Sequence, residues 1–253
     1  MLRITELRLP LDHREDALRP AIVARLGVRD SELASFTVFK RSYDARKKTA
    51  IVLIYTVDCE LAVDESALLA RFAGDQHVRA TPDTNYRFVG RAADGFFDGA
   101  STRQRPIVVG FGPCGIFAAL ILAQMGLCPI VLERGKEVRE RTKDTWGLWR
   151  QGQLDPESNV QFGEGGAGTF SDGKLWSQIS DPRHLTRKVL AEFVKAGAPD
   201  EILYVAKPHI GTFRLVGMVE KMRADIVALG GEIRFEQRVA DVQIGRASCR
   251  ERV

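Results

Sequence analysis

Residues 107–133 read IVVGFGPCGIFAALILAQMGLCPIVLE, and this stretch decides the fold of the second half of the chain. An apolar run from Ile107 to Val109 ends in a glycine-rich turn. An apolar segment of helical length follows, and then a second apolar run from Pro129 to Leu132. A strand, a turn, a helix and a strand in this order form a β-α-β unit with parallel strands. The sequence therefore predicts an α/β domain that starts at Pro106.

The turn in this unit is Gly110-Phe111-Gly112-Pro113-Cys114-Gly115, the G-x-G-x-x-G pattern. In this pattern Gly110 permits the tight turn, Gly112 lets backbone approach a pyrophosphate, and Gly115 lets the helix pack closely on the sheet. Phosphates would lie at the helix N-terminus. Glu133 ends the second strand, where a carboxylate can accept the hydroxyls of an adenosine ribose. The pattern predicts binding of the ADP part of NAD or FAD. The alternative is a glycine turn that serves packing alone.

A second glycine-rich segment, NVQFGEGGAGTFSDGKL, occupies residues 159–175. Its glycine density suits backbone that lies against an extended ligand, and this favours FAD as the cofactor. We expect Gly165 and Gly166 to contact the cofactor. We also expect Ser171, Asp172 and Lys174 to lie within reach of the ribityl chain, the phosphates or the flavin ring. A glycine-rich surface loop is the alternative.

Three stretches together resemble the bacterial FAD-dependent dehydrogenase family of NAD(P)/FAD-dependent oxidoreductases: residues 108–135, residues 159–175, and KPHIGT at 207–212. The resemblance covers nearly the whole chain, including KRSYDARKK at 40–48. It implies an FAD-dependent oxidoreductase with a Rossmann-type FAD-binding domain. It also places the ADP on Gly110, Gly112, Pro113, Cys114 and Gly115, with Glu133 and Arg134 at the adenosine.

The resemblance further implies that Arg234 to Val242 is a strand that returns beside the FAD, with the backbone of Val239 at the adenine. Two residues depart from the family pattern. Cys114 stands where Ala is commonest, and Phe213 stands where an acidic residue is usual. No catalytic side chain follows from the resemblance, and no substrate is named by it. NAD(P)H is the candidate electron donor, although only one dinucleotide fingerprint is visible.

His209 and Trp176 are open to two interpretations each. His209 is either a proton donor near the flavin or a hydrogen-bonded loop histidine. Trp176 either touches the flavin ring system or packs in a core. His209 lies between a strand-like ILYVAK at 202–207 and a predicted helix from Leu215 to Leu229.

Residues 1–88 alternate strand-like and helix-like segments in the order β-α-β-β-α-β of a ferredoxin-like module. The predicted strands include Leu2–Leu9, Phe36–Lys40 and Thr49–Asp58, and the predicted helices are Glu15–Leu26, ended by Gly27, and Glu65–Phe72. A basic stretch containing Arg41, Arg46, Lys47 and Lys48 separates two strands. It is either a nucleic-acid-binding hairpin or a solvated charged hairpin. The second is favoured, because Tyr43 is the sole aromatic residue within it.

We expect residues 89–105 to be a linker, residues 106–178 to hold the FAD-binding β-α-β unit with the second glycine segment, and residues 179–244 to begin a substrate domain. After ADVQI the sequence GRASCRERV at 245–253 departs from the family and is expected to be a non-native tail. The chain is therefore interpreted as a C-terminally truncated fragment with an incomplete cofactor site. A fragment without enzymatic activity is an alternative function class.

Composition is that of an ordinary globular protein: 45% of the 253 residues are hydrophobic and 28% are charged. The longest apolar run is shorter than the roughly 20 residues that span a bilayer, and no secretory leader is visible. We therefore expect a cytoplasmic protein with no membrane partner. The four cysteines form no C-x-x-C pair, so no metal site is expected. The net charge of +4 gives little support to a nucleic-acid partner.

Overall fold

The computed structural model of the protein describes residues 1–47, 49–97 and 104–242. Predictions for Lys48, for part of the 89–105 linker and for the 245–253 tail lie outside these residues. The chain divides into two compact units. The first comprises Met1–Tyr86, Lys174–Val194 and Pro199–His209. The second comprises Arg87–Gly173, Lys195–Ala198 and the chain from Ile210 onward. Residues 179–244, predicted as one segment, are therefore shared between the two units.

The helices and strands are as follows, in chain order: β1 (Leu2–Pro10), α1 (Leu18–Leu26), β2 (Leu33–Asp44), β3 (Val52–Leu61), α2 (Glu65–Arg71), β4 (Val78–Ala80), β5 (Ile107–Val109), α3 (Pro113–Gln124), β6 (Ile130–Leu132), α4 (Val138–Gln151), α5 (Leu185–Lys195), α6 (Thr212–Ala228) and β7 (Glu232–Arg234). Short 3-10 helices span Glu15–Ala17, Asp30–Glu32, Gly166–Phe170 and Asp200–Leu203. The described residues thus form a mixed α/β structure with two separate sheets.

The first unit contains an antiparallel sheet with the strand order β2-β3-β1-β4. The predicted element order β-α-β-β-α-β is confirmed. Helix α1 buries Leu18, Ile22 and Leu26, which recur every fourth residue and so share one helix face. Gly27 ends α1, as predicted, with a left-handed φ of 61° and an N–H donated to the carbonyl of Val23.

The hairpin between β2 and β3 is longer than predicted. The segment RSYD was assigned to the connecting stretch, but Arg41 pairs with Tyr55 and Asp44 pairs with Val52 inside the sheet. The charged and small residues of RSYD have low strand propensity, and the sequence therefore predicted a loop there. The edge position of β2 accounts for the difference, because one side of an edge strand can face solvent.

The second unit contains a parallel sheet with the strand order β5-β6-β7. Ile107 pairs with Ile130, and Ile130 pairs with Glu232. This confirms the predicted parallel β-α-β arrangement of β5, α3 and β6. Helix α3 packs against α6. The buried side chains include Ile116 and Leu120 on α3 and Met218 and Met222 on α6.

Two predicted strands are wrong. The segment Arg234 to Val242 is not a strand, because β7 ends at Arg234 and Glu236 adopts a left-handed φ of 57°. The segment 202–207 is not a regular strand either. It begins inside a 3-10 helix, and Val205 forms a single parallel bridge with Arg41 at the edge of β2. The first strand was implied by the family resemblance and the second by a strand-like apolar run, and neither segment has a full strand partner in the fold.

Among the residues that the structure describes, no helix combines the length and the apolar character needed to cross a membrane.

Truncation of Ile22 should destabilise the first unit. Its side chain is fully buried in the core around α1, so Ile22→Ala should cost roughly 2–5 kcal/mol of unfolding free energy. Ile179 is 82% exposed, and Ile179→Ala should stay within about 0.5 kcal/mol of the parent chain. Urea unfolding followed by circular dichroism measures both variants. Equal effects of the two substitutions would contradict the placement of α1.

Candidate functional site

The first glycine segment forms a tight turn between β5 and α3. Gly110 has a φ of 88°, and its N–H donates to the carbonyl of Leu132 at 2.8 Å. Gly112 caps the N-terminus of α3, and Pro113 occupies the first helical position. A side chain at Gly115 would collide with the carbonyl of Gly110. The turn therefore requires glycine where the sequence pattern predicted it.

The second glycine segment packs directly on this turn. The N–H of Gly165 donates to the carbonyl of Phe111 at 2.8 Å. A Cβ on Gly166 would lie 3.2 Å from the Cα of Gly112. A Cβ on Gly135 would lie 2.6 Å from the backbone N of Gly163. Close backbone packing thus accounts for part of the glycine density that the sequence analysis assigned to ligand contact.

Glu133 joins three separate backbone segments at the carboxyl end of β6. Its Oε2 accepts the N–H of Phe111 at 2.6 Å, and its Oε1 accepts the N–H groups of Gly135 at 2.8 Å and Gly163 at 3.0 Å. The side chain is buried. A carboxylate offers about four lone-pair positions, so about one remains for a ligand hydroxyl. The role of Glu133 at an adenosine ribose stays a prediction.

Arg141, on α4, binds the backbone carbonyls of the second glycine segment. The fully buried guanidinium donates to the carbonyl of Asn159 at 2.8 Å and to the carbonyls of Val160 and Glu164 at 2.6 Å each. Burial lowers the pKa of Arg141 to about 10, which leaves the side chain charged at neutral pH. No sequence pattern indicates this role, because an arginine that will be buried cannot be told from the other charged residues of an amphipathic helix.

Glu164 is a second buried carboxylate in the same region. Its Oε2 accepts the N–H of Val138 at 2.8 Å, and the Nε of Arg223 lies 3.4 Å from its Oε1. Burial raises the pKa of Glu164, since removal from water penalises the charged form. This side chain fixes the start of α4 to the glycine segment.

A cavity of about 470 Å³ opens beside the two glycine segments. Six of the predicted cofactor residues line it or lie in its wall: Gly110, Gly112, Glu133, Arg134, Gly166 and Val239. Pro113, Cys114 and Gly115 form the adjoining first turn of α3. Seven further lining residues were not among the predicted cofactor contacts: Val109, Leu132, Gln161, Phe162, Gly163, Gln237 and Arg238. Gln161 and Phe162 lie in the second glycine segment, and that position is the one sequence feature that could have identified them as cavity residues.

The cavity wall carries two arginines that share one carboxylate. Arg134 donates to Glu157 at 2.9 Å, and Arg238 donates to the same carboxylate at 3.1 Å. The hydrogen bond from Arg134 lowers the pKa of Glu157 below its ordinary value. The Arg134 guanidinium lies 3.8 Å from the ring centroid of Phe162. The wall is therefore cationic and aromatic in character, which suits an anionic ligand with a planar ring.

The remaining predicted site residues do not line this cavity in the part of the chain that the structure describes. The carbonyl of Ser171 accepts a hydrogen bond from Thr212, and the carbonyl of Asp172 accepts the N–H of Gly211. Lys174 belongs to the first unit, where it forms an antiparallel bridge with His209.

His209 and Trp176, for which the sequence allowed two roles each, both lie in the first unit. His209 is exposed. Trp176 is 48% exposed, and the ammonium of Lys207 lies 5.3 Å from its ring centroid. Trp176 is therefore not a fully buried core residue. Phe213, the second departure from the family pattern, is almost fully exposed.

The described cysteines are free thiols in three different environments. Cys59 is buried, and burial raises its pKa to about 12. Cys128 is half-buried, and Cys114 is exposed in the glycine turn. No group of three or more His, Cys, Asp or Glu side chains suited to a metal ion occurs within residues 1–47, 49–97 and 104–242.

The basic hairpin of the first unit is partly neutralised within itself. Arg46 donates two hydrogen bonds to Asp44, at 2.9 and 2.6 Å, and these lower the pKa of Asp44 to about 2. The guanidinium of Arg41 lies 5.2 Å from the ring centroid of Tyr204. Two of the four basic side chains thus contact other groups of the first unit, and a nucleic-acid-binding role for the hairpin stays untested.

Comparison with known proteins gives two matches. Residues 1–60 match a family described as a domain of unknown function, DUF8436. An uncharacterised protein of Clostridium beijerinckii is 42% identical over 241 residues, which cover 95% of this chain and 43% of the relative. The chain therefore spans less than half the length of that relative.

Removal of the Arg141 guanidinium should loosen the second glycine segment. Arg141→Met leaves three buried carbonyls without their donor, so we expect a loss of at least about 3 kcal/mol of unfolding free energy. Arg139 lies on the same helix but is 70% exposed and paired with Glu220, and Arg139→Met should cost less than about 1 kcal/mol. Denaturant unfolding compares them. A neutral Arg141→Met would show that the clamp does not stabilise the segment.

Proposed function

We propose that this chain provides the ADP-binding part of an FAD-dependent oxidoreductase of the dehydrogenase type. One observation carries the proposal. Gly110 and Gly112 of the G-x-G-x-x-G turn line one cavity of about 470 Å³ together with Arg134 and Arg238, and α3 begins directly after Gly112. In this interpretation the second unit is a Rossmann-type FAD-binding domain, and the β-α-β-β-α-β part of the first unit is a ferredoxin-like module.

The residues present suit the diphosphate and adenosine parts of such a cofactor. The first N–H groups of α3 have no intrahelical partner and point toward the turn, where the helix dipole favours negative charge. Gly112 and Gly166 keep side chains out of the space beside this turn. Gly110, Gly112, Pro113, Cys114 and Gly115 would hold the diphosphate. Arg134, Glu133 and the backbone of Val239 would surround the adenosine, with Gly165 and Gly166 behind the turn.

Flavin, when bound, supplies hydride or electron transfer, and the protein supplies binding, orientation and electrostatics. The buried contacts of Glu133 and Arg141 hold the turn and the second glycine segment in a fixed geometry before a ligand arrives. Ser171, Asp172 and Lys174 stay candidates for contacts with the ribityl and flavin parts. NAD(P)H stays the candidate electron donor, with a site in a longer protein such as the relative. The three free thiols suit a reducing, cytoplasmic setting.

Flavin binding tests this proposal directly. We expect the chain, or a version extended to the length of the relative, to retain FAD on desalting with the visible spectrum of a protein-bound flavin. Gly115→Ala places a methyl group against the Gly110 carbonyl and should weaken FAD binding about tenfold or more. Gly147 has nothing closer than 3.9 Å to an added Cβ, so Gly147→Ala is the matched control and should bind normally. Absence of FAD binding in both lengths would refute the proposal.

Protection of a thiol tests where the cofactor binds. Cys114 is exposed beside the proposed diphosphate position, so saturating FAD should slow its alkylation by N-ethylmaleimide several-fold. Cys59 should stay unmodified with or without FAD, because it is buried and its pKa is about 12. Peptide mass spectrometry measures each site. An unchanged rate at Cys114 under saturating FAD would place the cofactor elsewhere.

A further inference from the structure

A second cavity, of about 380 Å³, lies within the first unit and shares no residue with the glycine-turn cavity. Its volume falls in the range of small-molecule sites, which is roughly 300–1,000 Å³. Most of its wall is apolar or aromatic. Phe39 on β2, Leu190 on α5 and Val205 on the returning segment form part of it, with Trp176 and Ile179 also in the wall.

Arg187 brings a positive charge into this apolar wall. Its guanidinium donates to the carbonyl of Leu203 and lies 5.0 Å from the ring centroid of Phe39. No carboxylate lies within 4 Å of the Arg187 guanidinium among the residues that the structure describes. A guanidinium offers five N–H donors, so a single carbonyl leaves most of this capacity for a ligand.

The nearby carboxylate of Asp58 is already used by another arginine. Arg3, which is 2% exposed, donates to both oxygens of Asp58 at 2.6 and 2.7 Å. Arg3 and Arg187 both lie against the ring of Phe39, at 3.6 and 5.0 Å from its centroid. The carboxylate of Asp58 is thus paired with Arg3, and the positive charge of Arg187 at the cavity has no carboxylate partner of its own among the described residues.

The other charged groups of the wall do not cancel the charge of Arg187. Lys40 lines the same cavity and carries a second positive charge. Asp181 is the one acidic residue of the wall, and its carboxylate accepts the N–H groups of Leu185 and Thr186 at the start of α5, at 2.9 and 2.8 Å. An anion is therefore the complementary ligand charge.

We propose that this cavity binds a small carboxylate with an aromatic body, the carboxylate paired with Arg187 and the ring held among Phe39, Leu190 and Val205. A planar carboxylate matches the fork of a guanidinium and forms two parallel hydrogen bonds with it. The apolar wall excludes water from the ligand ring and strengthens the charge pair. The site is independent of the glycine turn and of any bound flavin.

The test uses 4-fluorophenylacetate and its uncharged analogue 4-fluorophenylacetamide, titrated into the 253-residue chain and followed by ¹⁹F NMR. The two probes have nearly the same shape and differ in charge. The acid should bind saturably and about tenfold more tightly than the amide. Equal affinities, or no saturable binding of the acid up to about 10 mM, which is weaker than any specific site of this kind, would overturn the proposal.

Variants assign the charge to Arg187. Arg187→Met should lower the affinity for the acid about tenfold and leave that for the amide unchanged. Arg29→Met is the matched control in the same unit, since Arg29 is 82% exposed and paired with Glu32, and it should bind both probes as the parent chain does. Leu190→Trp should abolish binding of both probes by filling the cavity. An equal loss in Arg29→Met and Arg187→Met would also contradict the proposal. If Arg187→Met does not fold, the relative affinities of the parent chain for the acid and the amide test the proposal.

Discussion

The carboxylate of Glu133 is the contact on which the second unit depends. It accepts N–H groups from the glycine turn, from the residues after β6 and from the second glycine segment. Burial of an ionised carboxylate is costly unless hydrogen bonds replace its lost water. Three backbone donors supply that replacement. Because the donors come from different parts of the chain, the buried carboxylate has all its hydrogen bonds only when the three segments are in place.

Arg141 donates to backbone carbonyls in the same region, whereas Glu133 accepts backbone N–H groups. The irregular segment around residues 159–170 cannot satisfy its own backbone groups through a helix or a sheet. Glu133 takes one of its N–H groups, and Arg141 takes three of its carbonyls. Two buried charges of opposite sign therefore fix a loop that has little regular structure. A site built in this way is rigid without being part of a long helix or strand.

Local patterns in the sequence were sufficient for much of this architecture. The apolar runs around Ile107 and Ile130 and the glycine spacing between them specified the parallel β-α-β unit, because each signal depends on neighbours within a few residues. Gly27 likewise specified the end of α1. These features need no knowledge of distant contacts.

The clamps and the second cavity were not predictable in the same way. Arg141 occupies a helix in which most other charged residues are exposed, and nothing near it in sequence indicates that its partners are carbonyls some twenty residues later. Arg187 is similar, since its environment is set by Phe39 and Arg3 from another part of the chain. The strand from Arg234 to Val242, which the family resemblance implied, was wrong because the chain adopts a left-handed φ of 57° at Glu236.

The return of the chain to the first unit has a consequence for folding. Strand β2 lies at the edge of its sheet, and the backbone around Arg41 is hydrogen-bonded by Tyr204 and Ala206. An unpaired strand edge is a template for intermolecular pairing. During synthesis this part of β2 stays uncovered until the residues near 206 have left the ribosome. Between translation of β2 and arrival of its partner, this part of the strand edge is therefore open to pairing with another chain.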